Sequence, residues 1–244
     1  FTLSAALSGS NGAVNQLGSG TTILIGNNAS YQGLINVANG TLAVGTGGNL
    51  GASNTIINNA SILFNSSSNI TVSGYIYGFG SLTQIGTGTT TLSGTNAANG
   101  NTIIDGGKFV VSGGSVTSAI SVIVGNSNNS SMVITNSASI EDVTGVIGNN
   151  ASSTGSVTMN SGSWSNSDNL YIGSNGIGFL TITGGTLTDV GAFIGFGAGS
   201  IGSVTISGGV WNNTWTNGGS ALAVGYYGSG TLTITGGIVS AESV

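Results

Sequence analysis

Few side chains in this sequence could do chemistry. Of the 244 residues only seven are charged at neutral pH, and there is no histidine and no cysteine. The charged residues are Lys108 and six carboxylates, Asp105, Glu141, Asp142, Asp168, Asp189 and Glu242. Without an imidazole or a thiol, a Ser-His-Asp triad, a histidine or cysteine metal site and a disulfide are all excluded. Asp105, not a serine, stands three residues before Lys108, so a Ser-Lys dyad is not indicated and the lysine is expected on a strand surface.

The carboxylates offer the remaining route to catalysis, because paired Asp and Glu residues can hydrolyse glycosides. Glu141 and Asp142 are adjacent, so in a strand they should face opposite sides. Asp142, Asp168 and Asp189 fall near the same place in successive repeats and could form a polar ladder on one face. Solvated positions at turn ends are the favoured interpretation, with a weak cation site and catalysis as alternatives. The sequence therefore predicts a protein that is not an enzyme and that holds no cofactor and no metal.

Tryptophan supplies the best candidates for ligand contact. Trp211 and Trp215 lie in an insertion between two repeats, where an exposed indole could stack on a sugar ring or a partner. The repeat spacing, however, places Trp211 in one column with Leu187 and Val239. Trp164 falls in the same column, which favours a core position for these two indoles. Trp215 has no counterpart in the other repeats.

A glycine-closed triplet and an alternating strand recur along the second half of the chain. The triplets close at Gly125, Gly148, Gly173, Gly195 and Gly225. The alternating strand reads TLTIT at 231–235, and a double glycine follows it. Spacings of roughly 22 to 30 residues between the closing glycines indicate a repeat architecture. A unit of two or three strands buries its apolar face only by stacking on other units of the same kind.

Alternation divides these strands into an inner and an outer set of side chains. Two inward columns are predicted, Met132/Val157/Leu180/Val204/Leu232 and Ile134/Met159/Ile182/Ile206/Ile234. The outward Thr and Ser residues suit a solvated, pleated surface. The predicted fold is all-β, a parallel β-helix (β-solenoid) of about ten turns with roughly 22–25 residues each. At ~4.8 Å a turn it would be about 50 Å long.

Two longer stretches carry a family resemblance. GSGTTILIG at 18–26 matches GTGTTTLSG at 86–94, and NGTLAV at 39–44 matches GGKFVV at 106–111. Because both matches have nearly the same offset, about 68 residues, each copy is expected to span three turns. The copies resemble the autotransporter-associated β-strand repeat at Gly18, Gly20, Thr21, Leu24, Gly26, Tyr31, Gly33, Ile35, Gly40, Leu42 and Val44, and at Gly86, Gly88, Thr89, Leu92, Ser93, Gly94, Thr102, Ile104, Gly106, Gly107 and Val110. The resemblance implies a right-handed parallel β-helix passenger, exported by a type V system and displayed on or released from a Gram-negative cell.

Three parts are expected along the chain. Residues 1–16 would form an N-terminal strand or cap, residues 17–116 a solenoid with the two long copies, and residues 117–244 a solenoid with five shorter repeats. The insertion at 211–220 should bulge from one edge as a loop. Neither a signal peptide nor a translocator barrel is recognised, so the expectation is a processed piece of a passenger or a relative secreted by another route.

Composition limits the partners. The net charge is −5 with 3% charged residues and no basic patch, which argues against nucleic acid and anionic membrane surfaces. No apolar run approaches the ~20 residues that cross a bilayer. A Gly-x-Gly-x-x-Gly pattern at 197–202 is expected by chance among 46 glycines, and no helix follows it, so nucleotide binding is not indicated.

The solenoid ends are the expected sites of self-assembly, because open strand edges can pair with another chain. Phe1 and Leu3 would lie at one end, and Ile238 and Val239 at the other. The predicted function is a non-enzymatic extracellular structural protein, either an adhesin stalk or a head-to-tail matrix fibre. Its partners would be copies of itself and, beyond these, surface glycans or proteins.

Two alternatives stay open. A carbohydrate-binding or carbohydrate-active β-helix would use Trp215 and the acidic ladder. An ice-binding β-solenoid would use outward threonine arrays at Thr181/Thr183, Thr205/Ser207 and Thr231/Thr233/Thr235, although Val133 and Ser156 interrupt these arrays.

Overall fold

The computed structural model describes residues 1–52, 55–118, 120–214 and 222–241, except the side chain of Ala98. These residues form no helix and thirty short β-strands. In chain order the strands are β1 (Thr2–Leu3), β2 (Ala13–Gln16), β3 (Thr21–Leu24), β4 (Leu34–Val37), β5 (Thr41–Gly45), β6 (Thr55–Asn58), β7 (Ser61–Asn65), β8 (Ile70–Val72), β9 (Tyr75–Gly78), β10 (Ser81–Gln84), β11 (Thr89–Leu92), β12 (Thr95–Ala98), β13 (Thr102–Ile104), β14 (Lys108–Ser112), β15 (Ser115–Thr117), β16 (Ser121–Val124), β17 (Ser130–Thr135), β18 (Ser139–Asp142), β19 (Thr144–Ile147), β20 (Thr154–Met159), β21 (Ser163–Asn166), β22 (Asn169–Ile172), β23 (Ile177–Ile182), β24 (Thr186–Asp189), β25 (Gly191–Ile194), β26 (Ile201–Ile206), β27 (Val210–Asn213), β28 (Leu222–Val224), β29 (Ser229–Ile234) and β30 (Ile238–Ala241).

The strands stack in parallel into three sheets. Sheet I runs β1-β3-β5-β7-β10-β13-β16-β19-β22-β25-β28, sheet II runs β8-β11-β14-β17-β20-β23-β26-β29, and sheet III runs β2-β4-β6-β9-β12-β15-β18-β21-β24-β27-β30. From β7 onward the chain visits the three sheets once in every turn. The fold is the right-handed parallel β-helix that the sequence predicted.

Turn length changes near the middle of the chain. In sheet I, Thr21 pairs with Thr41 and Thr41 with Ser61, so each early turn has about 20 residues. The same step holds as far as the pairing of Thr102 with Val122. The register then advances from Val122 through Gly145, Leu170 and Ala192 to Leu222, so the later turns are longer and unequal. The early turns are shorter than expected, partly because the sheet II strands there have three to five residues, whereas those of the later turns have six.

The two long sequence copies lie in different sheets, so the expectation of three turns per copy is wrong. Thr21–Leu24 forms β3 in sheet I, whereas the matching Thr89–Leu92 forms β11 in sheet II. Three turns after Thr21 the register reaches Ser81, at the start of β10. Thr89 lies further along the chain than Ser81, in the next strand. The second copy therefore begins one sheet further around the solenoid.

The motif shared by 18–26 and 86–94 forms a corner, a turn of the chain from one sheet to the next. Gln84 donates its side-chain amide to the carbonyl oxygens of Gly86 (2.8 Å) and Gly88 (3.3 Å), and it accepts a hydrogen bond from the Thr90 hydroxyl. Gln16 makes the equivalent three bonds in the first copy. The first corner joins sheet III to sheet I and the second joins sheet I to sheet II. These bonds are local, so the motif can turn the chain at either corner.

The predicted columns form the sheet II side of the core in the later turns, and only their last members, Leu232 and Ile234, are less than fully buried. Met132, Val157, Leu180, Val204 and Leu232 are register partners in adjacent turns, and so are the members of the Ile134 column. The closing glycines turn the corner from sheet I to sheet II with φ between +71° and +74°. Other residues rarely adopt this conformation, and a Cβ atom at Gly173 would lie 2.3 Å from the carbonyl oxygen of Ile201.

In the first three turns the described residues form no strand in sheet II, and side chains hold the chain there instead. Asn28 is 1% exposed; its amide donates to the carbonyl of Asn49 (2.9 Å) and its oxygen accepts the backbone N–H of Leu7 (2.8 Å). Tyr31 is also buried at this side. Within 1–16, β1 and β2 continue sheets I and III, so this segment supplies the first turn.

Candidate functional site

Asp142, Asp168 and Asp189 do not form the polar ladder that was possible on one face. Asp142 is 6% exposed and Asp189 is fully buried. Each ends a sheet III strand two residues after an inward aliphatic, Ile140 and Leu187 respectively, so alternation places both carboxyls on the core side. Asp168, by contrast, is exposed. The favoured interpretation, solvated turn ends, is therefore wrong for Asp142 and Asp189.

Asp189 belongs to a hydrogen-bonded interior unit. Its carboxylate accepts the indole N–H of Trp211 at 2.6 Å and the side-chain amide of Asn213. All three residues are at most 1% exposed. Burial raises the pKa of Asp189 to about 7, although the bonds from Trp211 and Asn213 act in the opposite direction.

A second unit of the same composition lies two turns earlier, at Asp142, Trp164 and Asn166. Here the Asp142 carboxylate accepts the backbone N–H of Val122 at 3.0 Å, and its other oxygen has no partner. The Trp164 indole N–H and both polar atoms of Asn166 are likewise buried without a hydrogen bond. Burial raises the pKa of Asp142 to about 7, while the Val122 bond and the nearby Trp164 indole act to lower it. Glu141, on the opposite side of the strand, is exposed as predicted.

The two interior carboxyls are separate from each other. Asp142 and Asp189 lie two turns apart in the same column. In the part of the chain that the structure describes, no group of three or more His, Cys, Asp and Glu residues could hold a metal ion. A shallow groove of about 280 Å³ opens beside Glu141 and Asp142. Lys108 is exposed at the start of β14, as expected.

The tryptophan candidates have separate outcomes. Trp211 is fully buried, so it cannot stack on a sugar or a partner, and its assignment as a ligand contact is wrong. Its pairing with Leu187 and Val239 confirms the core column, and Trp164 is buried in the same column. Trp215 lies outside the described residues.

Sequence reasoning missed a cluster of five aromatic rings on the outer side of sheet I, formed by Tyr171, Phe193, Phe196, Tyr226 and Tyr227. Tyr171 and Phe193 are register partners in β22 and β25, and their rings stack at 5.3 Å. Phe196 and Tyr226 follow closing glycines in adjacent turns and stack at 5.6 Å. Tyr227 meets Tyr226 edge-on at 4.5 Å. We call this group the aromatic cluster. The sequence does contain a signal for this cluster: aromatic residues stand at corresponding positions of consecutive repeats, just before or just after the closing glycines.

Hydrogen bonds between turns fix the aromatic cluster. The backbone N–H groups of Phe196 and Tyr226 donate to the carbonyls of Gly173 (2.9 Å) and Gly195 (3.0 Å). Burial, and then the charge of Asp168, raise the pKa of Tyr171. A hydrogen bond with Tyr227 raises the pKa of Tyr226. Both hydroxyls therefore stay protonated at neutral pH.

Elsewhere on the surface, exposed aromatic and threonine side chains are more widely spaced. Tyr75 and Tyr77 lie on the outer side of β9, where their rings stack at 5.4 Å, and the exposed Phe79 follows the strand. On sheet II the outward threonines align as predicted, Thr181 with Thr205 and Thr205 with Thr233. An ice-binding surface needs a flat array, and besides the interruptions named above Phe179, 42% exposed, projects from this face.

The proposed assembly ends differ in exposure. Phe1 is 82% exposed and Ile238 is 61% exposed, whereas Leu3 and Val239 pack partly against the core. Val224 and Ile234, each about half exposed, lie on the last described turn with Ile238. Within the described residues β28, β29 and β30 each pair on one side only.

Comparison of the chain with family models, with curated proteins and with solved structures gave no significant match. The described residues contain no helix long and apolar enough to cross a membrane. Inference about function therefore depends on the geometry and on the sequence resemblance.

Proposed function

We propose that this chain is a non-enzymatic structural scaffold, an elongated β-solenoid that forms an adhesin stalk or a matrix fibre. One observation carries the proposal. Sheets I and III each continue through eleven parallel strands, and every turn packs its inward column on the next. Such a body extends by about one strand spacing per turn and holds its surface side chains at fixed intervals.

The proposed location is the outer surface or exterior of a Gram-negative cell. The two stretches that resemble the autotransporter-associated repeat support it, with export by a type V system as the corresponding route. The composition is in keeping with it, because 3% charged residues leave a surface of hydroxyls and amides and little repulsion between neighbouring molecules.

We further propose that scaffolds join end to end. The last described turn presents three strand edges and the half-exposed apolar side chains Val224, Ile234 and Ile238. The first turn presents edges in sheets I and III only. A head-to-tail contact would therefore pair β28 with β1 and β30 with β2 of the next molecule, leaving β29 opposite a segment without a strand. Heterologous contacts of this kind build open fibres.

Negative-stain electron microscopy and sedimentation over a concentration series test the assembly. We expect unbranched fibres of one solenoid width, which lengthen as the concentration rises. Ile238→Lys places a charge on the exposed edge and should shorten the fibres or abolish them, because edge charges oppose strand pairing.

Phe179→Lys is the matched control, since it adds the same charge at an exposed ring on sheet II. It should leave the fibres unchanged. Isolated short rods of wild-type protein at every concentration would contradict end-to-end assembly, and compact particles would contradict the scaffold itself.

A further inference from the structure

The aromatic cluster has an apolar centre and a rim of tyrosines. Phe193 and Phe196 lie in its interior and are only partly exposed, whereas Tyr226 is 48% and Tyr227 is 70% exposed. Tyr171 stands at the opposite side, stacked on Phe193. Phenylalanines therefore form the apolar centre and three tyrosine side chains bring hydroxyls to the rim. Tyrosine combines an apolar ring with a polar tip, so the surface is suited to a ligand that is itself amphipathic.

The surroundings of the aromatic cluster are hydroxyls and amides. The corner column that holds Phe196 and Tyr226 continues toward the N-terminus through Ser174, Asn149 and Asn126, each bonded to the turn before or after it. The Asn149 side-chain amide donates to the Asn126 side chain at 2.8 Å. Asp168, near Tyr171, is the neighbouring charge that acts on the cluster. An ionic ligand would thus find little to pair with here.

We propose that the aromatic cluster binds an uncharged oligosaccharide or polysaccharide. A pyranose has a face of C–H groups, which packs on an aromatic ring, and a rim of hydroxyls, which bonds to tyrosine hydroxyls and side-chain amides. Along the solenoid the rings stack on one another at 5.3 and 5.6 Å, so the ring surface open to a sugar is mainly that of the outermost tyrosines, Tyr227 at 70% and Tyr226 at 48% exposed. They stand on strands and tight corners, so little ordering is needed on binding. The site reaches the last described turn, where Tyr226 and Tyr227 follow Val224, but the inference does not depend on end-to-end assembly.

Affinity electrophoresis tests the proposal with intact protein in gels that contain hydroxyethyl cellulose, galactomannan or, as a charged comparison, alginate. We expect one or both uncharged polysaccharides to retard the protein and alginate not to. Tyr227→Ala and Tyr226→Ala should each raise the dissociation constant for the polysaccharide, obtained from the retardation, by about tenfold or more. Tyr227→Phe should raise this dissociation constant less, because the ring remains and only the hydroxyl is lost.

Phe179→Ala removes a solitary exposed ring from sheet II and should leave binding unchanged, while circular dichroism confirms that every variant is folded. Retardation by none of the uncharged polysaccharides would overturn the proposal. So would equal binding of wild type and Tyr227→Ala, or an equal loss in Phe179→Ala. If the tyrosine variants change the sedimentation of the protein but not its retardation, the cluster makes contacts between copies of the chain, and the proposal is overturned.

Discussion

The two interior Asp-Trp-Asn units are built from the same residues but bonded differently. Asp142, Trp164 and Asn166 recur two turns later, in the same order, as Asp189, Trp211 and Asn213. In the later unit the indole and the amide both donate to the carboxylate. In the earlier unit the Trp164 indole lies near enough to lower the pKa of Asp142 but does not meet hydrogen-bond geometry, and Asn166 has no hydrogen-bond partner for either polar atom. Identical residue types in one column therefore do not fix the hydrogen bonds.

The facing strand of sheet I differs between the two units. Gly145 stands there in the earlier unit, and Ala192 stands at the equivalent position of the register in the later one. A Cβ atom on Gly145 would lie 2.4 Å from the Asn166 side-chain oxygen, 2.7 Å from Leu170 Cδ1 and 2.9 Å from the Trp164 ring. The earlier side chains thus occupy space that a methyl group fills in the later unit. We infer that this methyl keeps Trp211 and Asn213 directed at Asp189.

The largest expected effect is the loss of either indole. Trp164→Ala and Trp211→Ala should each lower the free energy of unfolding by about 3–5 kcal/mol, because each indole is fully buried and its removal leaves a cavity. Trp211→Ala should be the more damaging, since it also removes the N–H bonded to Asp189. Urea denaturation followed by circular dichroism measures both. Phe179→Ala, at an exposed ring, should change the value by less than about 0.5 kcal/mol. Equal losses at Trp164 and Trp211 would show that the hydrogen bond contributes nothing.

Alternation in the sequence was sufficient to predict the inward columns and the burial of Trp164, because a strand's period of two fixes the side of every residue. The same rule would have placed Asp142 inside, two residues after Ile140, had its charge not been given more weight. The sheet that holds Thr89–Leu92 could not be predicted, because the phase of a motif depends on the summed length of all the preceding turns. The aromatic cluster, in contrast, could have been predicted: Tyr171 and Phe193 each stand two residues before a closing glycine, and residues at this position pair in adjacent turns whatever the turn length.

The next largest effect concerns pH. The pKa of both buried carboxyls is about 7 in the folded chain, against 3.8 for an exposed aspartate. Between about pH 4 and about pH 7 the unfolded chain releases protons that the folded chain retains, so stability falls as the pH rises through this window and levels off above it. Each pKa unit is equivalent to about 1.4 kcal/mol, so the total decrease should be several kcal/mol.

Asp142→Asn and Asp189→Asn provide the controls for this pH dependence, because an amide does not titrate. In each variant the free energy of unfolding should fall less between about pH 4 and about pH 7 than in the wild type. In the double variant it should hardly change over this range. At pH 8, Asp142→Asn should be the better tolerated, since the NH2 group introduced by Asp189→Asn must face one of two donors, the Trp211 indole N–H or the Asn213 amide. A stability curve that rises from pH 4 to pH 7 would mean that both carboxyls are ionised in the fold.

The smallest effect on stability, and the sharpest test of the comparison, is expected from Gly145→Ala. The new methyl group should displace the Asn166 amide and the Trp164 indole toward Asp142, so that the earlier unit adopts the bonding of the later one. A hydrogen bond donated to a carboxylate favours its ionised form, so the pKa of Asp142 should fall, as followed by NMR titration of the carboxyl carbon. The free energy of unfolding should change by only about 1 kcal/mol, because the new bond offsets the local strain. Ala192→Gly, the reverse change, should raise the pKa of Asp189. If the Asp142 pKa stays where it is while the variant is destabilised, the facing residue does not control the bonding and the cause must lie in the backbone of the two turns.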